Sequence, residues 1–183
     1  MQRFLPRLVL LGLLIGLFAL PMSPSHAGAQ EATPCAPMSA DEAAAWITGF
    51  YAARNAQDQE LIASFLSDDF IYHWGIGIDA QGADDFTTSM TAFMTAFPGL
   101  HTTVDQVWIA DDSVIVRWIN IGIQEVDYMG IPPSDQTVTW TGISVFRLEC
   151  GKAVEAWTEA DHFGRIQQQG VLPVASPEST PEA

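Results

Sequence analysis

Along this chain the hydrophobic positions are mostly helical in period before Pro98-Gly99 and alternate beyond it, and that change predicts the architecture. Ahead of it apolar residues recur with helical spacing. Trp46, Ile47, Phe50 and Tyr51 fall at i, i+1, i+4 and i+5, so one face of a helix is buried. Ser39 and Glu42 have the spacing of a capping box just before that helix. Leu61, Ile62, Phe65 and Leu66 mark a second, short helix from Gln59 to Phe65. Phe70, Tyr72 and Trp74 then alternate with Ile71 and His73, an extended segment over Asp68 to Trp74, followed by a loop holding Gly75, Gly77 and Gly82. A third helix runs from Ala83 to Phe97 and stops at the Pro-Gly pair.

Beyond Gly99 the period is two. His101 to Ala110, Val114 to Gln124, Thr137 to Glu149 and Ala153 to Ala160 read as strands. Asp111-Asp112-Ser113 and Cys150-Gly151-Lys152 read as tight turns, and Phe163 to Gln169 as a short terminal helix. Helices first and long antiparallel strands afterwards predict an α+β domain over residues 39–170. Its sheet is curved and antiparallel-rich, because strands this long with an interior glycine such as Gly142 bend. Helices over a bent sheet make a cone with an apolar interior. From Val171 the chain is mostly Pro, Ser, Thr and Glu, which predicts a disordered tail.

The first 27 residues fall outside this pattern. Arg3 and Arg7 precede an uncharged apolar run, Leu8 to Leu20, and Ser25-His26-Ala27 has the small-x-small form of a cleavage site. This is the pattern of a secretory signal peptide, followed by a linker over 28–38. The apolar run is short against the ~20 residues of a bilayer span. The expected localisation is therefore secreted or periplasmic, with no stable membrane contact after cleavage. Removing the segment takes away two basic residues and no acid, so the formal charge moves from −15 to −17. Such a surface excludes nucleic acid and anionic lipid as partners. An anionic ligand would need one of the few cations, such as Arg117, in its pocket. Cys35 and Cys150, in an oxidising compartment, are expected to pair as one disulfide.

Several short segments, in order, carry a resemblance. They are Phe97-Pro98-Gly99, Val116-Arg117-Trp118, Gly130-Ile131-Pro132-Pro133, Thr141-Gly142-Ile143 with Phe146-Arg147, Gly151-Lys152, Trp157 with Asp161, and Gln168 with Gly170. From Ala40 to Gly170 the chain resembles the SnoaL-like polyketide cyclases of the nuclear-transport-factor-2-like superfamily, which also holds ketosteroid isomerase. The resemblance implies a cone, often dimeric, with a ligand cavity. It also implies that an aspartate at the place of Asp161 acts as general acid/base in an aldol closure, without metal or cofactor. His73 falls where the family often has a histidine. Gln124 stands where many members have one, and Asp135 where a glycine is usual.

The residues themselves allow that chemistry. On a strand, positions 157, 159 and 161 share a face. If Trp157 points into the cone, so does Asp161, and burial among aromatics raises a carboxyl pKa towards neutrality. The other reading of Asp161 is a helix cap, two residues before Phe163. His73 would orient Asp161 or donate to substrate, or serve as a hydrogen-bonded wall residue. Trp74, Trp118, Trp140 and Trp157 are the candidate substrate-binding walls. Glu159 is expected at the rim, His162 as structural or exposed, and Arg117 in a pair across the sheet. No three of these groups have zinc spacing. Ser144 lacks the partners of a nucleophile. The sequence thus points to a small apolar carbonyl compound held in the cone, with aldol-type cyclisation or isomerisation as its chemistry. A non-catalytic ligand-binding or dimeric interaction module is the alternative.

Overall fold

The computed structural model describes residues 35–36, 38–75 and 77–172. The expected signal segment, most of the linker and the tail from residue 173 lie outside the described residues. Helix α1 (Ala40–Ala56) starts as its sequence dictates: the Glu42 amide donates to Ser39 Oγ at 3.3 Å, and the Ser39 amide to Glu42 Oε2 at 2.8 Å. It ends where Gln57 turns into the left-handed region, at φ 56°. Helix α2 (Gln59–Ser64) is capped by Asp58, whose carboxylate accepts from the Leu61 amide at 2.9 Å.

Strands β1 (Leu66–Trp74) and β2 (Ile78–Gln81) follow, then α3 (Ala83–Ala96). The strands β3 (His101–Ala110), β4 (Ser113–Ile123), β5 (Thr137–Glu149) and β6 (Lys152–Ala160) come next, and α4 (His162–Gln168) closes the order. The sheet runs β2-β1-β6-β5-β4-β3. Only β1 against β6 is parallel. β2 departs from the expected glycine loop. It has four residues, too few to show a period in sequence, and forms as the return strand of a hairpin on β1.

The sheet bends at irregular register, between Val104 and Gln106 on β3 and between Arg147 and Leu148 on β5. Parity then decides which side chains face the helices. On β4 the even positions Val114, Val116, Trp118 and Asn120 are buried, and on β5 Val138, Trp140, Ser144 and Phe146. The α1 aromatics meet them. Phe50 lies 5.2 Å from both the Trp46 and the Phe146 rings, centroid to centroid. Burying each such side chain is worth about 1.5–3 kcal/mol, so this contact holds the helix on the sheet. Cys35 and Cys150 form the expected disulfide, tying the chain ahead of α1 to the β5–β6 turn.

Candidate functional site

The packing of α1 and α3 on the concave side of the sheet leaves a cavity of about 80 Å³. Phe50, Tyr51 and Arg54 come from α1; Phe86, Ser89, Met90 and Phe93 from α3. The sheet supplies Tyr72, Trp74, Trp118, Asn120, Trp140, Ser144, Phe146, Thr158 and Ala160, and Tyr128 and His162 complete the wall. The volume is well below the ~300 Å³ at which drug-sized ligand pockets begin. A ligand held within it has few heavy atoms, or extends through the open side.

Among the polar groups of this aromatic lining two sets stand out. The first is satisfied. Trp118 Nε1 donates to Ser144 Oγ at 3.0 Å, and Ser144 Oγ lies 2.7 Å from Thr158 Oγ1. Trp74 Nε1 donates to His162 Nε2 at 3.2 Å. An indole N–H only donates, so His162 carries a lone pair on Nε2 and, when neutral, its proton on Nδ1. Burial, and then the Arg165 charge, lower the His162 pKa, while Asp161 opposes them.

The second set lacks acceptors among the described residues. The Tyr51 hydroxyl, Arg54 Nε and Asn120 Nδ2 are shielded from solvent without a hydrogen-bond partner. Asn120 is fully buried, and its carbonyl oxygen is taken by Thr102 Oγ1 at 2.6 Å. Tyr51 is 3 % exposed, and burial pushes its pKa up to about 12. Arg54 and Ser144 stand near that hydroxyl and offset part of the shift without completing a hydrogen bond. Each such orphan costs on the order of 1–3 kcal/mol while it stays unpaired.

The predicted site residues divide between the two faces of the sheet. Trp74, Trp118 and Trp140 line the cavity. Trp157 does not: its side is the outer face, where it is 40 % exposed and stacks on His73 with centroids 5.3 Å apart. β6 turns Ala156, Thr158 and Ala160 inward, so 157, 159 and 161 point the other way. Asp161 is exposed and caps α4, its Oδ1 accepting from the Gly164 amide at 2.8 Å. Of its two sequence readings, the geometry is that of the cap. His73 follows the same parity. Tyr72 and Trp74 face in, so His73 faces out, where Nε2 meets Glu155 at 3.0 Å and Nδ1 meets Asp79 at 3.1 Å. The Glu155 bond, with Asp79 assisting, raises its pKa.

Gln124 is buried, and it is structural. Its amide donates to the carbonyl oxygens of Val126 at 3.0 Å and Ile131 at 2.6 Å, and its oxygen accepts from Arg165 at 3.1 Å. Arg117 pairs with Asp105, as expected for a structural arginine. The residues that sequence reasoning missed are Tyr51, Arg54, Asn120 and His162. For Arg54 a signal existed: it lies three residues after Tyr51, on the face that buries Phe50 and Tyr51. Among the described residues no three His, Cys, Asp or Glu side chains gather at metal-binding distance.

Among curated proteins nothing matches this chain. Solved structures do. AclR from Streptomyces galilaeus, a proposed hydroxylase, is 26% identical over 76% of this chain and 87% of its own, with a TM-score of 0.68. TsrD from Streptomyces laurentii is 21% identical over 74% and 99%, with a TM-score of 0.67. IdmH from Streptomyces antibioticus, a proposed polyketide cyclase, is 24% identical over 70% and 98%, with a TM-score of 0.61. The fold, a curved open sheet packed by helices, is shared with these structures. The sequence profile of one family, the SnoaL-like polyketide cyclases, matches residues 45–169, and the chain belongs to that family.

Proposed function

We propose that this protein binds a small, mostly apolar, carbonyl-bearing molecule in its cone. One observation carries the reading: an aromatic-walled cavity lined by Tyr51, Arg54 and Asn120, each of which has a buried donor atom without a hydrogen-bond partner among the described residues. A carbonyl oxygen supplies what they lack, and rings from Phe86, Phe93 and Trp140 cover an apolar body. The names of similar structures include both a hydroxylase and a cyclase, so the fold leaves the reaction open.

A catalytic reading has one supporting observation, the His162 imidazole in the cavity wall. Among the described residues no carboxylate lines the cavity, so Asp161 is not seated for acid/base work there. A neutral imidazole that released Trp74 would take a proton from carbon beside a carbonyl, the step common to aldol cyclisation and isomerisation. Acetophenone in D2O tests this: its methyl signal is lost as protons exchange. The protein should speed the loss, His162→Gln should return it to the buffer rate, and Asp161→Asn, which keeps a good cap, should leave it unchanged. No acceleration by the parent protein leaves a binding module. Loss of exchange in Asp161→Asn alone would restore the carboxylate mechanism.

The same reading includes export and pairing. The disulfide suits an oxidising compartment. The outer sheet face exposes Trp108, Ile121, Ile143 and Trp157, an apolar surface that a second copy would cover. Native mass spectrometry of protein from an expressing culture should give a dimer lacking residues 1–27. A monomer, or a chain retaining that segment, contradicts the corresponding part.

A further inference from the structure

The charge of the ligand follows from the one arginine or lysine that lines the cavity among the described residues. We infer that the cone is a carboxylate site, in which Arg54 fixes the acid group of a small apolar monocarboxylate. The inference rests on the binding reading above and narrows it to one ligand class.

The chain has a threefold excess of acidic over basic residues, so an arginine without an acid partner is unexpected. Its neighbours follow the expectation: Arg117 pairs with Asp105, and Arg147 with Glu149 and Glu155. Buried Arg165 has no acid partner either and its Nε is also unpaired, but its Nη1 donates to the Gln124 and Gln169 side-chain oxygens. Arg54 has neither kind of partner among the described residues, and its Nε is both buried and unpaired. What holds it is aromatic. Its guanidinium carbon lies 5.7 Å from the Tyr51 ring centroid, 5.8 Å from Phe93 and 5.7 Å from Trp118. Contacts of this kind engage the charge but accept none of the in-plane N–H bonds, which is where a carboxylate docks two-pronged.

Two further donors belong to the same wall. Tyr51 is one turn before Arg54 on α1, and Asn120 shares the inward face of β4 with Trp118. Burial keeps the tyrosine protonated, so it donates. The Asn120 amide has unpaired N–H groups, while its oxygen already accepts from Thr102. A guanidinium, a hydroxyl and an amide N–H select an acceptor-only, negatively charged group. With no carboxylate on the wall among the described residues, such a ligand meets no like charge there. The acidic surface outside works against polyanions, which leaves a single charge on an apolar body as the favoured form.

Calorimetric titration with benzoate, benzamide and inorganic phosphate at neutral pH tests this, on the parent protein, Arg54→Lys and Arg54→Met. The parent should bind benzoate about tenfold or more tighter than benzamide, the scale of a charge-assisted hydrogen bond. Arg54→Met should abolish that preference while keeping benzamide affinity, and Arg54→Lys should keep part of it. Circular dichroism confirms that each variant is folded, and the parent's own benzoate-to-benzamide ratio needs no variant. Equal affinity for the two in the parent, or a preference that survives in Arg54→Met, overturns the carboxylate site and leaves the binding reading standing. Phosphate binding as tight as benzoate overturns the ligand class in favour of an unselective anion hole. Failure of both benzoate and benzamide to bind overturns the binding reading together with this one.

Discussion

Asp161 and His162 are neighbours in the chain, and they face opposite surroundings. The carboxylate turns back to cap α4, and the imidazole reaches the Trp74 indole in the cavity wall. Two alternations in the sequence decide such placements. On β1 the apolar series Phe70, Tyr72, Trp74 already sends His73 outward. On β6 the face of Trp157 also carries Glu155 and Glu159, and two carboxylates on one face are a signature of solvent. The inward residues of β6 are small, so hydrophobicity alone does not single them out. His162 also carries a consequence for stability. Its folded pKa is lowered, so the folded state binds fewer protons than the unfolded state, whose value is about 6.5. This contribution is present above that pH and lost as pH falls through the folded pKa. The melting temperature should therefore drop on acidification from about pH 7 to pH 5, and less so in His162→Gln. His73, with a raised pKa, acts in the opposite sense: its contribution is present below about pH 6.5 and lost as pH rises through the folded value. An unchanged pH slope in His162→Gln would remove the buried-imidazole account.

The elements were legible where they carry a long period or a cap. The capping box fixed the start of α1, Pro98-Gly99 the end of α3, and the two turns the β3–β4 and β5–β6 hairpins. β2 was not legible, because four residues between glycines show no period. The parallel β1–β6 pairing was not legible either, since it joins segments some 80 residues apart and no local pattern encodes it. Gly142 shows how one position joins element to site. A Cβ there would overlap the Trp118 indole and stand 2.7 Å from the Glu159 carbonyl oxygen. The glycine thus lets Trp118 lie across β5, where its N–H reaches Ser144. Gly142→Ala should cost about 1–3 kcal/mol in urea unfolding and alter the near-ultraviolet circular dichroism of the indole. A variant as stable as the parent, with the same spectrum, would show that the close approach is unimportant.

For the whole molecule, the change of period from helical to alternating was enough to predict an α+β cone. The cavity was not predictable in detail, because it is assembled from α1, α3 and strands brought together only by the fold. Charge gave a partial guide. It required that an anionic ligand find a cation in the pocket, and pointed to Arg117, whereas the cation on the wall is Arg54. The central claim is that ligand enters the concave cavity and not the outer face. Five of the six tryptophans report on the two sides at once: Trp74, Trp118 and Trp140 line the cavity, while Trp108 and Trp157 are exposed. The measurement is a benzoate titration followed through the indole N–H signals in a nitrogen-15 correlation spectrum. The account predicts that the signals of Trp74, Trp118 and Trp140 shift with saturation while those of Trp108 and Trp157 stay in place. Saturable shifts at Trp157 with the cavity indoles unmoved would contradict it and put the ligand on the opposite face of the sheet.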